Sequence, residues 1–212
     1  MPFKYACFIS YPSVSGKLGK KIIKEFTDEL KGHLELDITE EVYIDKERLQ
    51  PGSLYNEDLA EAICQSACMI VVYVPIYEEH PYCNREFTAM ERLVEKRMRL
   101  LGEGAKAKYG LIIPVIYHGM EKLSPRIKDN IHCCDFSKFL TATLTISQKK
   151  EYQDKIKEIV NVIVNFSKTF KQLNTDICND CNSFKLPSLE ECPPWREEPK
   201  KSAPLPFHQG EP

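Results

Sequence analysis

Residues 69–74 form the apolar run Met-Ile-Val-Val-Tyr-Val, and residues 82–86, Tyr-Cys-Asn-Arg-Glu, follow it after a short loop. The run predicts a strand that is apolar on both faces, as central strands of parallel sheets are. The second stretch predicts the first turns of a helix. Glu86 is therefore carried to the point where a central strand ends and a helix begins, which is the edge where ligands bind in open α/β sheets.

Other short apolar runs predict further strands at residues 4–10, 41–44, 111–117 and 131–136. Pro114 lies inside one of these runs and predicts a bulge or an edge-like stretch. Between the runs, apolar residues recur at helical spacing in the stretches 18–30, 54–64, 82–100 and 152–170. Strands that alternate with helices predict an α/β fold, with a parallel sheet covered by helices on both faces.

The composition changes beyond Leu173. Half of the 14 prolines lie beyond residue 186, and three cysteines, Cys178, Cys181 and Cys192, also fall in this part of the chain. We predict a folded domain at residues 1–173 and an irregular Cys/Pro-rich tail at residues 174–212 that has no core of its own. Trp195 is expected to anchor this tail onto the domain.

The overall charge excludes some classes of partner. The 212 residues include 29 basic and 31 acidic side chains, for a net charge of −2, which gives no reason to expect a nucleic-acid or membrane-surface partner. The apolar runs are far shorter than the ~20 residues of a membrane-spanning helix. The first residues lead straight into a strand pattern, so we expect no signal peptide and a cytoplasmic protein.

The nine cysteines mostly lie within apolar patterns. Cys7, Cys64, Cys68 and Cys133 are predicted to be small buried thiols in a reducing compartment. In the tail, Cys178-x-x-Cys181 with Cys192 and His208 suggests a zinc site. Because the usual second pair of ligands is missing, thiols without a metal are the favoured interpretation.

Three loops are expected to meet at the carboxyl edge of the sheet. They are Ser10 to Pro12 after the first strand, Asp45 to Ser53 after the second, and Glu78 to Glu86 after the third. In the flavodoxin-like strand order, the first and third strands flank the switch point at which ligands bind. The three loops therefore predict one pocket.

The motifs in these loops resemble those of Toll/interleukin-1 receptor (TIR) domains. Phe8-Ile9-Ser10-Tyr11 resembles the first sequence box of that family. Asp45 to Gly52, with its acidic start and its Pro-Gly turn, resembles the BB loop, and Tyr82 to Glu86 is similar to the aromatic-Cys-x-x-Glu motif. The three motifs occur in the family's order within roughly residues 3–170. The resemblance implies a flavodoxin-like sheet of five parallel strands.

The resemblance also implies a reaction. Bacterial, plant and some animal TIR domains cleave the nicotinamide–ribose bond of NAD+, and the glutamate of this motif is their catalytic residue. Carried over, Glu86 is catalytic, NAD+ is the substrate and no cofactor or metal is needed. The implied substrate-binding residues are Phe8, Ser10, Tyr11, Asp45, Arg48, Tyr82 and Cys83. His80, where the family often has serine, and Pro12, where it often has arginine, depart from the pattern.

A single carboxylate suits this chemistry. Loss of nicotinamide leaves positive charge on the ribose, and a carboxylate that faces the sugar stabilises this oxocarbenium-like species. Nicotinamide departs neutral, so no general acid is required. A position near a helix N-terminus favours the ionised form of Glu86, whereas burial opposes it. The product is either ADP-ribose or a cyclised ADP-ribose.

The resemblance implies a bacterial antiphage enzyme that self-associates through TIR–TIR contacts, with a separate effector that would recognise a nucleotide signal. The alternative is a non-catalytic TIR adaptor that acts by assembly through the BB loop. In that case Glu86 only complements a helix dipole, and Tyr82 and Cys83 only pack against the sheet. A domain for another nucleotide is disfavoured, because no glycine-rich phosphate loop is present.

Overall fold

The computed structural model describes residues 3–44, 55–101, 110–140, 149–172, 178 and 180–196. It contains five strands, Tyr5–Ser10 (β1), Glu41–Ile44 (β2), Ser66–Tyr73 (β3), Ile112–Ile116 (β4) and Cys134–Asp135 (β5). Its α-helices are Lys17–Leu34 (α1), Tyr55–Cys64 (α2), Pro81–Leu101 (α3), Pro125–Lys128 (α4) and Lys150–Gln172 (α5). The alternation of strands and helices predicted from the sequence is confirmed.

All the strand pairs are parallel, and the strand order is β2-β1-β3-β4-β5. This is the flavodoxin-like order, in which the chain switches direction across the sheet between β1 and β3. Every residue of these two strands is buried. Their carboxyl ends therefore mark the expected ligand edge, at Ser10 and Tyr73.

Each face of the sheet has its own apolar core. Helices α1 and α5 cover one face, where Phe26 and Ile163 are fully buried. Helices α2 and α3 cover the other face, where Leu59 and Phe87 are fully buried. The helical spacing over residues 18–30 predicts a buried stripe that begins at Leu18, but this prediction is wrong at that end. Leu18 is 38% exposed, and the buried stripe of α1 instead runs from Ile22 to Leu34.

Pro114 lies where its missing N–H breaks no hydrogen bond. The Tyr117 N–H donates to Tyr73 O at 3.0 Å, whereas Ile116 O accepts from the Phe136 N–H at 2.8 Å. The backbone N–H and C=O groups of successive β4 residues thus point alternately to β3 and to β5, and the backbone nitrogen and C=O of Pro114 point to the β5 side. Since β5 begins to pair only at Val115, that side of Pro114 is edge-like, as predicted, while its register with Val71 in β3 is unbroken. The strand predicted at 131–136 is correspondingly short.

Residues 180–196, here called the C-terminal strap, return to the domain. Cys181 forms a disulfide with Cys64 at the end of α2, with a Cα–Cα distance of 5.4 Å. The prediction that these two cysteines are unbridged thiols is therefore wrong, and Cys64 no longer supports a reducing compartment. The disulfide also occupies one of the thiols of the suggested zinc site, whose His208 lies outside the described residues.

Trp195 anchors the strap, as predicted. Its ring is 8% exposed and packs edge-on against Phe87, at 5.0 Å between ring centroids, and against Tyr77, at 5.8 Å. The Arg126 guanidinium lies 4.8 Å from the centre of the indole ring. The strap thus contributes to the core on the α2 and α3 face instead of forming one of its own. The boundary at residue 173 stays a prediction.

Candidate functional site

Ser10 ends β1 with its side chain directed towards α3. Side chains alternate along a strand, so Phe8 and Ser10 face one side of the sheet and Ile9 and Tyr11 face the other. Phe8 packs in the core beneath α2 and α3, whereas Tyr11 packs against the opposite core. The last residue of a central strand thereby presents a hydroxyl to the helix that carries Glu86.

Helix α3 begins at Pro81, whose fixed φ and missing N–H suit the first helical position. Glu86 therefore lies in the second turn of the helix. The predicted support from the helix dipole is correspondingly small, because this effect falls off within the first turn. The Glu86 side chain points inwards and is only 5% exposed.

A short hydrogen bond joins the two elements. The Ser10 hydroxyl donates to Glu86 Oε2 at 2.5 Å, and Ser10 itself is fully buried. A second contact, of 2.8 Å, joins Ser10 Oγ to the phenolic oxygen of Tyr77. Tyr77 ends the 3₁₀ turn Pro75–Tyr77, which follows β3. Three oxygen-bearing side chains from three segments thus meet at the carboxyl ends of β1 and β3.

The groups around the carboxylate stay neutral near pH 7. Burial raises the pKa of Tyr77 well above its ordinary value, and its electrostatic interactions with Cys83 and Glu86 raise it further. Burial likewise raises the pKa of the Cys83 thiol, with a second contribution from Glu86. A buried thiol of this kind is a packed residue and not a nucleophile. Cys83 was predicted to contact substrate, but it is 1% exposed in this structure.

Tyr82 faces outwards between α2 and α3. Its ring meets Tyr55 edge-on at 5.0 Å, and the Arg85 guanidinium lies 5.2 Å from its centre. The ring does not take part in the hydrogen bonds of Ser10 and Glu86. Phe8 lies two residues before Ser10 in β1 and is fully buried. Its ring stacks on that of Tyr43, with 5.3 Å between the ring centroids.

The predicted substrate-binding set is thus brought together only in part. Ser10, Cys83 and Glu86 lie close together, Tyr82 lies at the outer side of the same helix, and Tyr11 packs on the opposite face. Asp45 and Arg48, in the segment that resembles the BB loop, lie outside the described residues. Their role, like the substrate contacts of the whole set, stays a prediction.

Sequence reasoning missed Tyr77. The one available signal was its place: an aromatic residue with a hydroxyl, two positions after the proline that ends β3, on a loop that leads to the ligand edge. Pro75 by itself indicates only the end of a strand. At the position where the family often has serine, this chain has His80. Its imidazole Nδ1 is buried and has no hydrogen-bond partner among the described residues.

The described residues hold two open cavities elsewhere. One of about 740 Å³ lies by Met120 and His132, and one of about 670 Å³ lies along β4 and α5. Neither is lined by Ser10, Tyr77 or Glu86. Within the part of the chain that the structure describes, no group of three or more His, Cys, Asp or Glu residues could hold a metal ion. The helices of the described residues are all too short or too polar to span a lipid bilayer.

Comparison with known proteins agrees with the motifs. Residues 8–148, more than half of the chain, match the TIR domain family, and the chain therefore belongs to that family. A search of curated proteins found no match. Among solved structures, the chain is similar to the TIR domains in the activated Roq1 resistosome that recognises the pathogen effector XopQ. This similarity covers 81% of this chain and 98% of that one, at 18% identity and a TM-score of 0.40.

Proposed function

We propose that this TIR domain is an NAD+ nucleosidase that cleaves the nicotinamide–ribose bond. The products would be nicotinamide and either ADP-ribose or a cyclic or conjugated ADP-ribose. The observation that carries the proposal is the anchored carboxylate of Glu86, which accepts a 2.5 Å hydrogen bond from Ser10 at the carboxyl edge of two central strands. TIR domains include NAD-cleaving enzymes, and this is the residue at which their motif has its glutamate.

The surroundings of Glu86 suit the stabilisation of positive charge. As the bond to nicotinamide breaks, the carboxylate would face the ribose and balance the charge that develops on it. A hydrogen bond from Ser10 favours the ionised carboxylate. Tyr77 and Cys83 remain neutral, so neither adds a competing negative charge, and the departing nicotinamide needs no acid.

The remaining parts of the proposal concern partners. NAD+ is the substrate, no cofactor is required, and activity accompanies self-association through TIR–TIR contacts. A separate effector would bind the nucleotide product. The setting that we propose is bacterial antiphage defence.

The alternative is a TIR adaptor that works by assembly alone. One observation favours it: Glu86 is only 5% exposed, as a carboxylate with a purely structural role would be. An enzyme needs this side chain to reach the ribose when substrate binds, whereas an adaptor does not.

Incubation of the full chain with NAD+, alone and in a self-assembled form, distinguishes the two functions. Chromatography should show nicotinamide and an ADP-ribose product with the wild type and with Glu95→Gln, which makes the same chemical change at an exposed position of α3. Glu86→Gln should release both products about 10²–10³-fold more slowly while it retains the wild-type circular dichroism spectrum. Full activity of Glu86→Gln would refute the assignment of this residue.

A further inference from the structure

Three buried oxygens form a continuous chain at the site. Tyr77 Oη lies 2.8 Å from Ser10 Oγ, which lies 2.5 Å from Glu86 Oε2. Tyr77 and Ser10 are fully buried, and Glu86 is 5% exposed. Because these groups are withdrawn from water, each hydrogen bond between them is electrostatically stronger than it would be at the surface.

The number of hydroxyl protons fixes which side chain donates to which along these hydrogen bonds. An ionised carboxylate only accepts hydrogen bonds, and a serine hydroxyl has one proton to give. Since Ser10 donates that proton to Glu86, the contact between Ser10 and Tyr77 must use the phenolic proton. The other acceptor near the Tyr77 hydroxyl is Cys83 O, at 3.5 Å, and it is much farther away than Ser10 Oγ.

We propose that Tyr77 and Ser10 are positioning residues, which form a one-way hydrogen-bond chain that aims Glu86 and holds it in its ionised form. The inference deepens the proposed function and rests on it for its catalytic meaning. Each donor polarises the next, so the phenol strengthens the bond from the serine hydroxyl to the carboxylate. Tyr77 acts only through Ser10 and needs no contact with NAD+.

The packing around Tyr77 is what makes it suitable for this role. Its ring is tilted against Tyr73, with centroids 6.0 Å apart, and meets Trp195 from the strap edge-on at 5.8 Å. The 3₁₀ turn that begins at Pro75 fixes its backbone. Held on both sides, the phenol is preorganised and does not have to be ordered when substrate binds.

Among the described residues, the titratable or charged groups that act on Tyr77 are Cys83, Glu86 and Arg126. Cys83 belongs to the same helix as Glu86, and burial raises its pKa, so it carries no charge near pH 7. From α4, the charge of Arg126 interacts with Tyr77 and acts to lower its pKa, although burial outweighs that effect. The segment with Asp45 and Arg48 lies outside the described residues. The titration of Glu86 itself, followed by NMR, shows whether a change in pH dependence after loss of the Tyr77 hydroxyl belongs to this carboxylate.

The test removes one hydroxyl at a time and compares matched tyrosines. Tyr77→Phe and Ser10→Ala each remove one hydroxyl donor from the hydrogen-bond chain that ends at Glu86. Tyr73→Phe is the control, because Tyr73 is also fully buried and its hydroxyl donates at 2.8 Å to a carboxylate, that of Glu78. Melting curves verify that each variant folds. If Tyr77→Phe does not fold, Ser10→Ala carries the test.

We expect Ser10→Ala to lower kcat about 10- to 100-fold and Tyr77→Phe to lower it about 3- to 10-fold, from the usual strengths of charged and neutral hydrogen bonds. In both variants the acidic limb of the kcat profile should move to higher pH, because the carboxylate has lost support for its ionised form. KM of Tyr77→Phe should stay within about twofold. Tyr73→Phe should match the wild type in all three quantities.

A second readout does not depend on activity. Carbon NMR of glutamate side chains in the full chain follows the titration of Glu86, which is assigned by the signal that Glu86→Gln loses. If this titration does not move in Tyr77→Phe, or moves equally in Tyr73→Phe, the positioning proposal is wrong even if NAD+ is cleaved. If it moves as expected in a protein that cleaves no NAD+, the proposed function fails and the hydrogen-bond chain stands.

Discussion

The two faces of α3 differ in what they hold. The inner face carries Glu86, buried beneath the helix and bonded to Ser10 at 2.5 Å. The outer face holds the strap through side chains that water reaches: Lys96 contacts Asp180 at 2.8 Å, and Arg92 contacts Glu191 at 3.5 Å. One short buried bond specifies a geometry, whereas exposed ion pairs contribute little to stability. The inner face is therefore suited to chemistry and the outer face to attachment.

The attachment depends on more than charge. Along the outer face, the Arg85 side chain donates to Pro187 O at 2.6 Å, and at one end of the strap Cys181 is bonded to Cys64. At the other end, Trp195 enters the core and contacts Tyr77. The two faces of α3 are thus connected through Tyr77, which contacts the strap on one side and Ser10 on the other.

The largest effect is expected on the inner face. Glu86→Gln should lower the rate of nicotinamide release by about 10²–10³-fold, as loss of a preorganised charge typically does. Stability should change little, because the amide has nearly the same shape and can still accept a hydrogen bond from Ser10. Rate and melting temperature are measured on the same preparation. A large fall in melting temperature with little loss of rate would reverse the roles that we give the two faces.

The next largest effect is expected at the disulfide. Cys181→Ser opens a loop between two residues 117 positions apart, and a bridge of this length contributes about 4–5 kcal/mol, mainly by restricting the unfolded chain. Urea denaturation under non-oxidising and oxidising conditions measures the loss. Cys192→Ser, in the same strap but outside any disulfide, is the control and should leave the midpoint unchanged.

A smaller loss is expected for Trp195→Ala. Removing this mostly buried tryptophan leaves a cavity against Phe87 and Tyr77, so the free energy of unfolding should fall by about 3 kcal/mol. This value is at the low end for such a substitution because Trp195 is 8% exposed. The indole N–H has no hydrogen-bond partner among the described residues, so Trp195→Phe should retain most of the stability. Equal losses in the two variants would show that the aromatic contacts do not hold the strap.

The smallest effect is expected among the exposed pairs. The hydrogen bond from Lys96 lowers the pKa of Asp180, but both side chains lie in water, where salt and solvent screen them. Asp180→Asn should therefore leave the melting temperature unchanged within error by differential scanning calorimetry. A loss as large as that of Trp195→Ala would contradict the view that apolar contact attaches the strap.

The sequence was sufficient for the parts of the fold that depend on local pattern. The uninterrupted apolar run at 69–74 predicts a buried strand in a chain of alternating elements, and parallel strands bring their carboxyl ends to one edge. This is why the pattern alone predicts that the loops with Ser10 and Glu86, 76 positions apart, meet at one pocket. The boundaries of β2 followed from the pattern as well.

Contacts that depend on the path of the tail could not be predicted from the sequence. Nothing near Cys64 indicates that residue 181 returns to it, because the spacing of the two cysteines is set by three intervening strands and their helices. The role of Tyr77 was hidden for another reason. A tyrosine after a strand is common as a packing residue, and only the position of its hydroxyl relative to Ser10 distinguishes it from Tyr73.

The Cys64–Cys181 bond also divides the chain topologically. It closes residues 64–181 into a covalent ring that contains β3, α3, β4, α4, β5 and α5, while β1, α1, β2 and α2 form an arm that leads into the ring. A protease cut anywhere within the ring would leave both fragments joined until the bond is reduced. Ser10 belongs to the arm and Glu86 to the ring. Their hydrogen bond is thus a junction between two parts of the chain that meet covalently only at Cys64.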